Sequence, residues 1–189
     1  MQEILKNMTS RAWVIIFSSN TAWDEIVAEK VLADIIRKQY IYPWIVVAVA
    51  SAFLFNLIYA SDRVFETSIL NAIITALSLF GGYFASNLIC FAYLKRTNPD
   101  LASKTSCETL IAYSYTIIIL IEIVTIMIPS LFFLRILSIF IAYVLWEGCR
   151  AIWMLKEEDR GNIVLVFSVV IIFIPIIITK IIHWMLPNV

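Results

Sequence analysis

The chain has 189 residues, of which 62% are apolar and 15% charged, and its 14 basic and 14 acidic side chains sum to a formal net charge of zero. A soluble domain carries roughly 45–50% apolar and about 25% charged residues, so this composition belongs to a protein solvated by lipid. The even charge balance excludes nucleic-acid binding, which needs a basic face to displace counterions from phosphates.

Residues 1–40 read as a cytoplasmic, amphipathic amino-terminal segment ahead of a transmembrane domain over 41–189. Charges are spread through this segment, and its longest apolar run, Ala12 to Phe17, is too short for a signal core, so the segment is expected to remain in the mature protein. Thr21-Ala22-Trp23-Asp24 has the chemistry of a helix start, with side-chain oxygens able to satisfy amide groups that lack an intrahelical acceptor. Trp23, Ile26, Val27, Val31, Ile35 and Ile36 then recur near three- and four-residue intervals, while Asp24, Glu25, Lys30, Asp34 and Lys38 occupy the remaining surface. Two readings stay open for the oily face. It lies on the cytoplasmic leaflet with Trp23, Ile26 and Val27 as interfacial anchors, or it packs against the spans or a second subunit.

A hydrocarbon core of roughly 30 Å takes about 20 apolar residues in helix, and five stretches qualify: Tyr42 to Ala60, Ser68 to Leu94, Thr109 to Ile128, Leu131 to Leu155 and Asn162 to His183. The fourth is interrupted by Arg135, Glu147 and Arg150, which makes a re-entrant segment its competitor. Basic residues near helix ends are retained in the cytoplasm. Five spans place eleven basic residues on the amino-terminal face and three, Arg63, Arg135 and Lys180, on the other; omitting the fourth span gives nine against five. Five spans with the amino terminus inside and the carboxyl terminus outside therefore fit best. Pro43, Asn98-Pro99-Asp100, Pro129 and Arg160-Gly161-Asn162 punctuate the chain at the same places. The expected fold is an all-α, five-helix bundle with an amino-terminal interfacial helix.

A charge in hydrocarbon normally faces the protein and finds a partner. Glu122 and Arg135 fall at similar depth on either side of Pro129, which predicts an ion pair between the third and fourth helices, with Lys180 at a comparable level as a third member. The pair is either a structural tie or part of an ion or proton relay. Glu147 and Arg150, three apart, are expected to pair along one helix, with Arg150 extending toward the headgroups. Ser78, Gly82, Ser86 and Cys90 repeat every four residues, a stripe of small side chains suited to helix packing or homodimerisation. Tyr115, Asn56 and Asn87 complete a candidate polar path with Glu122, since Tyr115 and Glu122 share a helix face.

The residues for common chemistries are missing. His183 is the single histidine, so no multi-histidine metal site or serine–histidine–aspartate arrangement can be built, and the aspartates fall outside the spans. Cys90, Cys107 and Cys149 match neither a disulfide framework nor a zinc site and read as packing residues. No cofactor is expected, and the chain reads as non-enzymatic.

The segment from Phe17 to Glu29 around Trp23 resembles the tryptophan-containing entry helix of bacterial members of the Yip family. Tyr42-Pro43-Trp44 is similar to that family's aromatic-proline signature in shortened form, and Ala112-Tyr113-Ser114-Tyr115 to its second signature. Phe80-Gly81-Gly82 and Tyr143-Val144-Leu145-Trp146-Glu147-Gly148 also suit the bacterial branch. The resemblance covers about residues 13 to 183 and implies five helices, a cytoplasmic amino-terminal segment and a bacterial inner membrane. Eukaryotic relatives act in vesicle trafficking through Rab-type GTPases, but this chain has a short amino-terminal region and lacks the glycine expected between Tyr42 and Pro43, so GTPase binding is not carried over. Two functions follow as expectations. One is a scaffold or adaptor that binds a membrane or cytoplasmic protein partner or a second copy of itself; the other is a small channel or transporter component with a polar intramembrane path.

Overall fold

The computed structural model describes residues 2–29, 31–59 and 64–185; Lys30, Ala60 and Arg63, which enter the readings above, lie outside the described residues. Among the described residues every regular element is helical. Two helices, α1 (Gln2–Phe17) and α2 (Ser19–Glu29), precede five that are long and apolar enough to cross a membrane. These are α3 (Ala33–Tyr59), α4 (Val64–Thr97), α5 (Lys104–Met127), the compound element Pro129–Trp153, and α7 (Glu157–Met185). The compound element consists of a 3-10 segment, Pro129–Phe140, followed by α6 (Ile141–Trp153).

Helix α5 is the centre of the bundle. In its most apolar stretch 56% of residues are buried, against 44% or less in the other four spans, and α3, α4, α6 and the 3-10 segment pack around it. Its start is capped by Ser103, whose side-chain oxygen accepts the amide N–H of Ser106, and the Asn98-Pro99-Asp100 break before it folds as a short 3-10 turn.

The expected single amphipathic helix divides in two. Helix α2 begins at Ser19, before Thr21, and stops at Glu29; Val31 and Leu32 are non-helical, and Ala33 opens the first span well ahead of Tyr42. The domain boundary expected after residue 40 therefore falls inside α3. A π-helical turn over Arg37–Ile41 widens the register just before Pro43, whose ring would collide with the preceding turn of a regular α-helix.

The fourth span is also less regular than a helix over Leu131 to Leu155. Pro129 supplies no amide donor, and the 3-10 segment over Pro129–Phe140 is kinked at Leu131, where φ is −88° and ψ 23°, with none of its residues buried. Phe132, Phe133, Ile136 and Leu137 are exposed on it, an arrangement suited to lipid. Helix α6 ends where Met154 takes a left-handed φ of 51°.

One apolar cluster joins both halves of the chain: Ala12, Ile15 and Trp23 share it with Leu110, Val144 and Phe167. In a bilayer, helices of this kind would be held together by packing and hydrogen bonding, since lipid is as apolar as leucine. Where α1 and α2 cover the bundle's end, removal of apolar surface from water adds to it.

Candidate functional site

At the bundle end that carries the amino-terminal helices, α2 is clasped to α6. The Trp23 ring is fully buried, and its indole N–H donates to the carbonyl of Val144 at 3.0 Å. Gly148 makes the approach feasible, because a Cβ there would meet the Trp23 ring and Leu110. Ile26 is buried and Val27 packs against the same cluster. The interfacial-anchor reading of Trp23, Ile26 and Val27 is thus corrected: of the two readings of that face, packing against the spans is realised, because the groove beside Gly148 accommodates an indole. The exposed aromatics of the two amino-terminal helices lie on α1, where Trp13 and Phe17, 65% and 66% exposed, pack at a tilt with ring centroids 4.2 Å apart.

Charged side chains complete the clasp. Arg150 pairs with Glu147 at 2.9 Å, as its spacing suggests, but it reaches Asp24 at 3.0 Å and the side chain of Asn20 rather than the headgroups. Arg11 on α1 donates to the Tyr113 hydroxyl at 3.0 Å and to Glu29 at 2.5 Å. Partial burial works against the Arg11 charge, yet these two partners hold its pKa above the ordinary value. Tyr113 also meets Trp23 edge to face at 5.8 Å and Tyr40 at 4.7 Å, so one aromatic cluster ties α2, α3 and α5 together, and Arg11 joins α1 to it.

A second polar centre was missed from sequence. Glu108, at the edge of the third expected span, is 7% exposed; Arg37 Nε lies 2.5 Å from its Oε1, and the Tyr83 hydroxyl donates to the same oxygen at 3.2 Å. The available signal was a carboxylate abutting an apolar run; with Lys104 four residues before it, nothing in the sequence singled out Arg37 as its partner.

The opposite end of the bundle holds a cavity of about 530 Å³. Glu122 and Arg135 meet there as their depths suggest, at 3.3 Å, with side chains 31% and 63% exposed. Lys180 lines the same cavity but is joined to neither in an ion pair. Asn56 lines it as well and accepts a hydrogen bond from Asn71 at 2.9 Å, while His183 Nδ1 lies 2.8 Å from the Thr179 carbonyl.

The polar path is not assembled as a set. Asn87 bonds back to the Tyr83 carbonyl of its own helix and is absent from the cavity wall. Tyr115 is fully buried beneath the cavity, its hydroxyl donating to the Leu79 carbonyl at 3.0 Å. The small-residue stripe explains this closure. Ser78 bonds the Pro175 carbonyl at 2.9 Å and Thr179 at 2.7 Å, a Cβ on Gly82 would overlap Tyr115 and Pro175, and Ser86 and Cys90 are buried. The stripe is occupied by α7 and Tyr115 of its own chain, which removes it as a homodimer surface. Pro175, inside α7, went unread in the sequence although its carbonyl anchors this contact.

All three cysteines are free and buried, and among the described residues no group of three or more histidine, cysteine or acidic side chains comes together to hold a metal. No family model, curated protein or solved structure matches the chain.

Proposed function

We propose that the protein is a non-enzymatic membrane scaffold or adaptor, with its amino terminus in the cytoplasm of a bacterium and its amino-terminal helices forming a partner-binding face. The observation that carries this reading is the clasp of Trp23 on Val144 and Arg150 on Asp24, which holds α2 in one position on α6. A face ordered in advance loses little conformational entropy on binding. Exposed Trp13 and Phe17 on α1 give that face an aromatic contact pair of the kind that dominates interface energetics. The resemblance to the Yip family, whose eukaryotic members bind partner proteins at membranes, agrees with it. The channel or transporter alternative rests on the cavity at Glu122 and Arg135, and the tight packing of Gly82, Tyr115 and Pro175 beneath it weighs against a continuous route.

The test is cross-linking in intact cells followed by purification of the full chain. The double variant Trp13→Ser with Phe17→Ser is expected to lose a partner that the parent retains, with both proteins equally stable. Reproducible ion or solute flux from liposomes holding the purified parent would overturn the adaptor reading.

A further inference from the structure

The cavity at the Glu122 end has a composition that neither an adaptor role nor a structural ion pair accounts for. Its volume, about 530 Å³, lies in the range of small-molecule sites, roughly 300–1,000 Å³. Ile118, Ile121, Ile172 and Ile176 form apolar walls, and the charged groups gather at Glu122, Arg135 and Lys180. Arg135 is neutralised by Glu122 at 3.3 Å. Lys180 has no ion-pair partner among the described residues, so the site carries one uncompensated positive charge. Lysine near the end of a membrane helix can extend to the headgroup level, which leaves the exposed Lys180 charged at the cavity mouth. The placement is also selective: of the three basic residues assigned to the face poor in basic residues, Arg135 and Lys180 line this one cavity.

We propose that the cavity binds an anionic amphiphile, with an alkyl chain along the isoleucine walls and a phosphate-type headgroup on Lys180 and the remaining N–H groups of Arg135. The guanidinium has five donors and gives only part of them to Glu122, so it can serve both anions. Charge-assisted bonds to phosphate provide orientation, and the apolar walls provide most of the burial. The Asn56–Asn71 pair and the hydrogen-bonded Ser78 and Thr179 leave the polar floor already satisfied, which directs the headgroup to the cationic mouth.

The full chain in phosphatidylcholine nanodiscs is titrated with dodecyl phosphate, with dodecyl maltoside as a neutral amphiphile and with inorganic phosphate, and bound probe is counted by native mass spectrometry. Lys180→Gln removes the free charge from an exposed position, and Ser138→Phe fills the cavity from the 3-10 segment, which buries none of its own residues. One dodecyl phosphate per chain is expected, bound about tenfold more weakly by Lys180→Gln, the size of a lost charge-assisted bond, and not at all by Ser138→Phe. Equal binding of dodecyl maltoside, or unchanged binding in both variants, overturns the proposal. Inorganic phosphate binding as tightly as dodecyl phosphate overturns it too, since the alkyl chain would then contribute nothing.

Discussion

Trp23 on α2 and Val144 on α6, 121 residues apart in the chain, share a 3.0 Å hydrogen bond from indole N–H to main-chain carbonyl, at a point with no exposed tryptophan surface. The first prediction rests on this bond. Trp23→Ala is expected to cost about 3–5 kcal/mol through the cavity it leaves. Trp23→Phe keeps much of the packing and loses about 0.5–1.5 kcal/mol for the hydrogen bond, because the Val144 carbonyl, inside α6, keeps its intrahelical donor. Chemical unfolding in detergent measures both; a Trp23→Phe cost near zero would show that the hydrogen bond contributes nothing, and equal costs for the two variants would show that the retained ring packing contributes nothing.

Gly82 tests the closure beneath the cavity. A methyl group there overlaps the Tyr115 hydroxyl and Pro175, so Gly82→Ala is expected to lose about 1–3 kcal/mol. Gly81→Ala meets only the flexible end of Ile178 at 3.2 Å and is expected to be milder. Adding Tyr115→Phe to Gly82→Ala removes the nearest clashing atom and should recover part of the loss, a non-additivity read from a double-mutant cycle.

Glu122→Gln distinguishes a tie from a working group. Arg135 is 63% exposed at the cavity mouth, so the pair should be worth about 1 kcal/mol or less and the variant should unfold near the parent temperature. A loss of about 3 kcal/mol or more would instead mark it as a buried pair whose arginine has been stranded. Stability retained together with loss of cellular activity would give Glu122 a part in that activity.

Orientation is open to a labelling experiment with low background, because all three native cysteines are buried. With the amino terminus inside, Ser130→Cys between α5 and the 3-10 segment is expected to react with a membrane-impermeant maleimide in intact cells. Lys95→Cys and Glu157→Cys should react only after lysis. The reverse pattern would invert the topology.

Local chemistry made much of this protein legible from its sequence. Five apolar runs of membrane length are a property of consecutive residues, and the five long helices follow them. Glu122 and Arg135 could be paired because Pro129 makes the intervening chain a hairpin, so counting residues measures depth. What the sequence could not specify was which face meets which neighbour. The periodicity around Trp23 marks an oily face equally well for lipid or for protein, and only Gly148, more than a hundred residues away, makes a groove that takes the indole inside. The same holds for the stripe at Ser78 and Gly82, which any helix could have covered and which Pro175 and Tyr115 of the same chain occupy. Arg37 meeting Glu108, and Lys180 standing at the cavity with no ion-pair partner among the described residues, likewise depend on how helices turn about their axes. Spacing along one helix fixes which residues share a face; the partner of that face is decided by packing among all five.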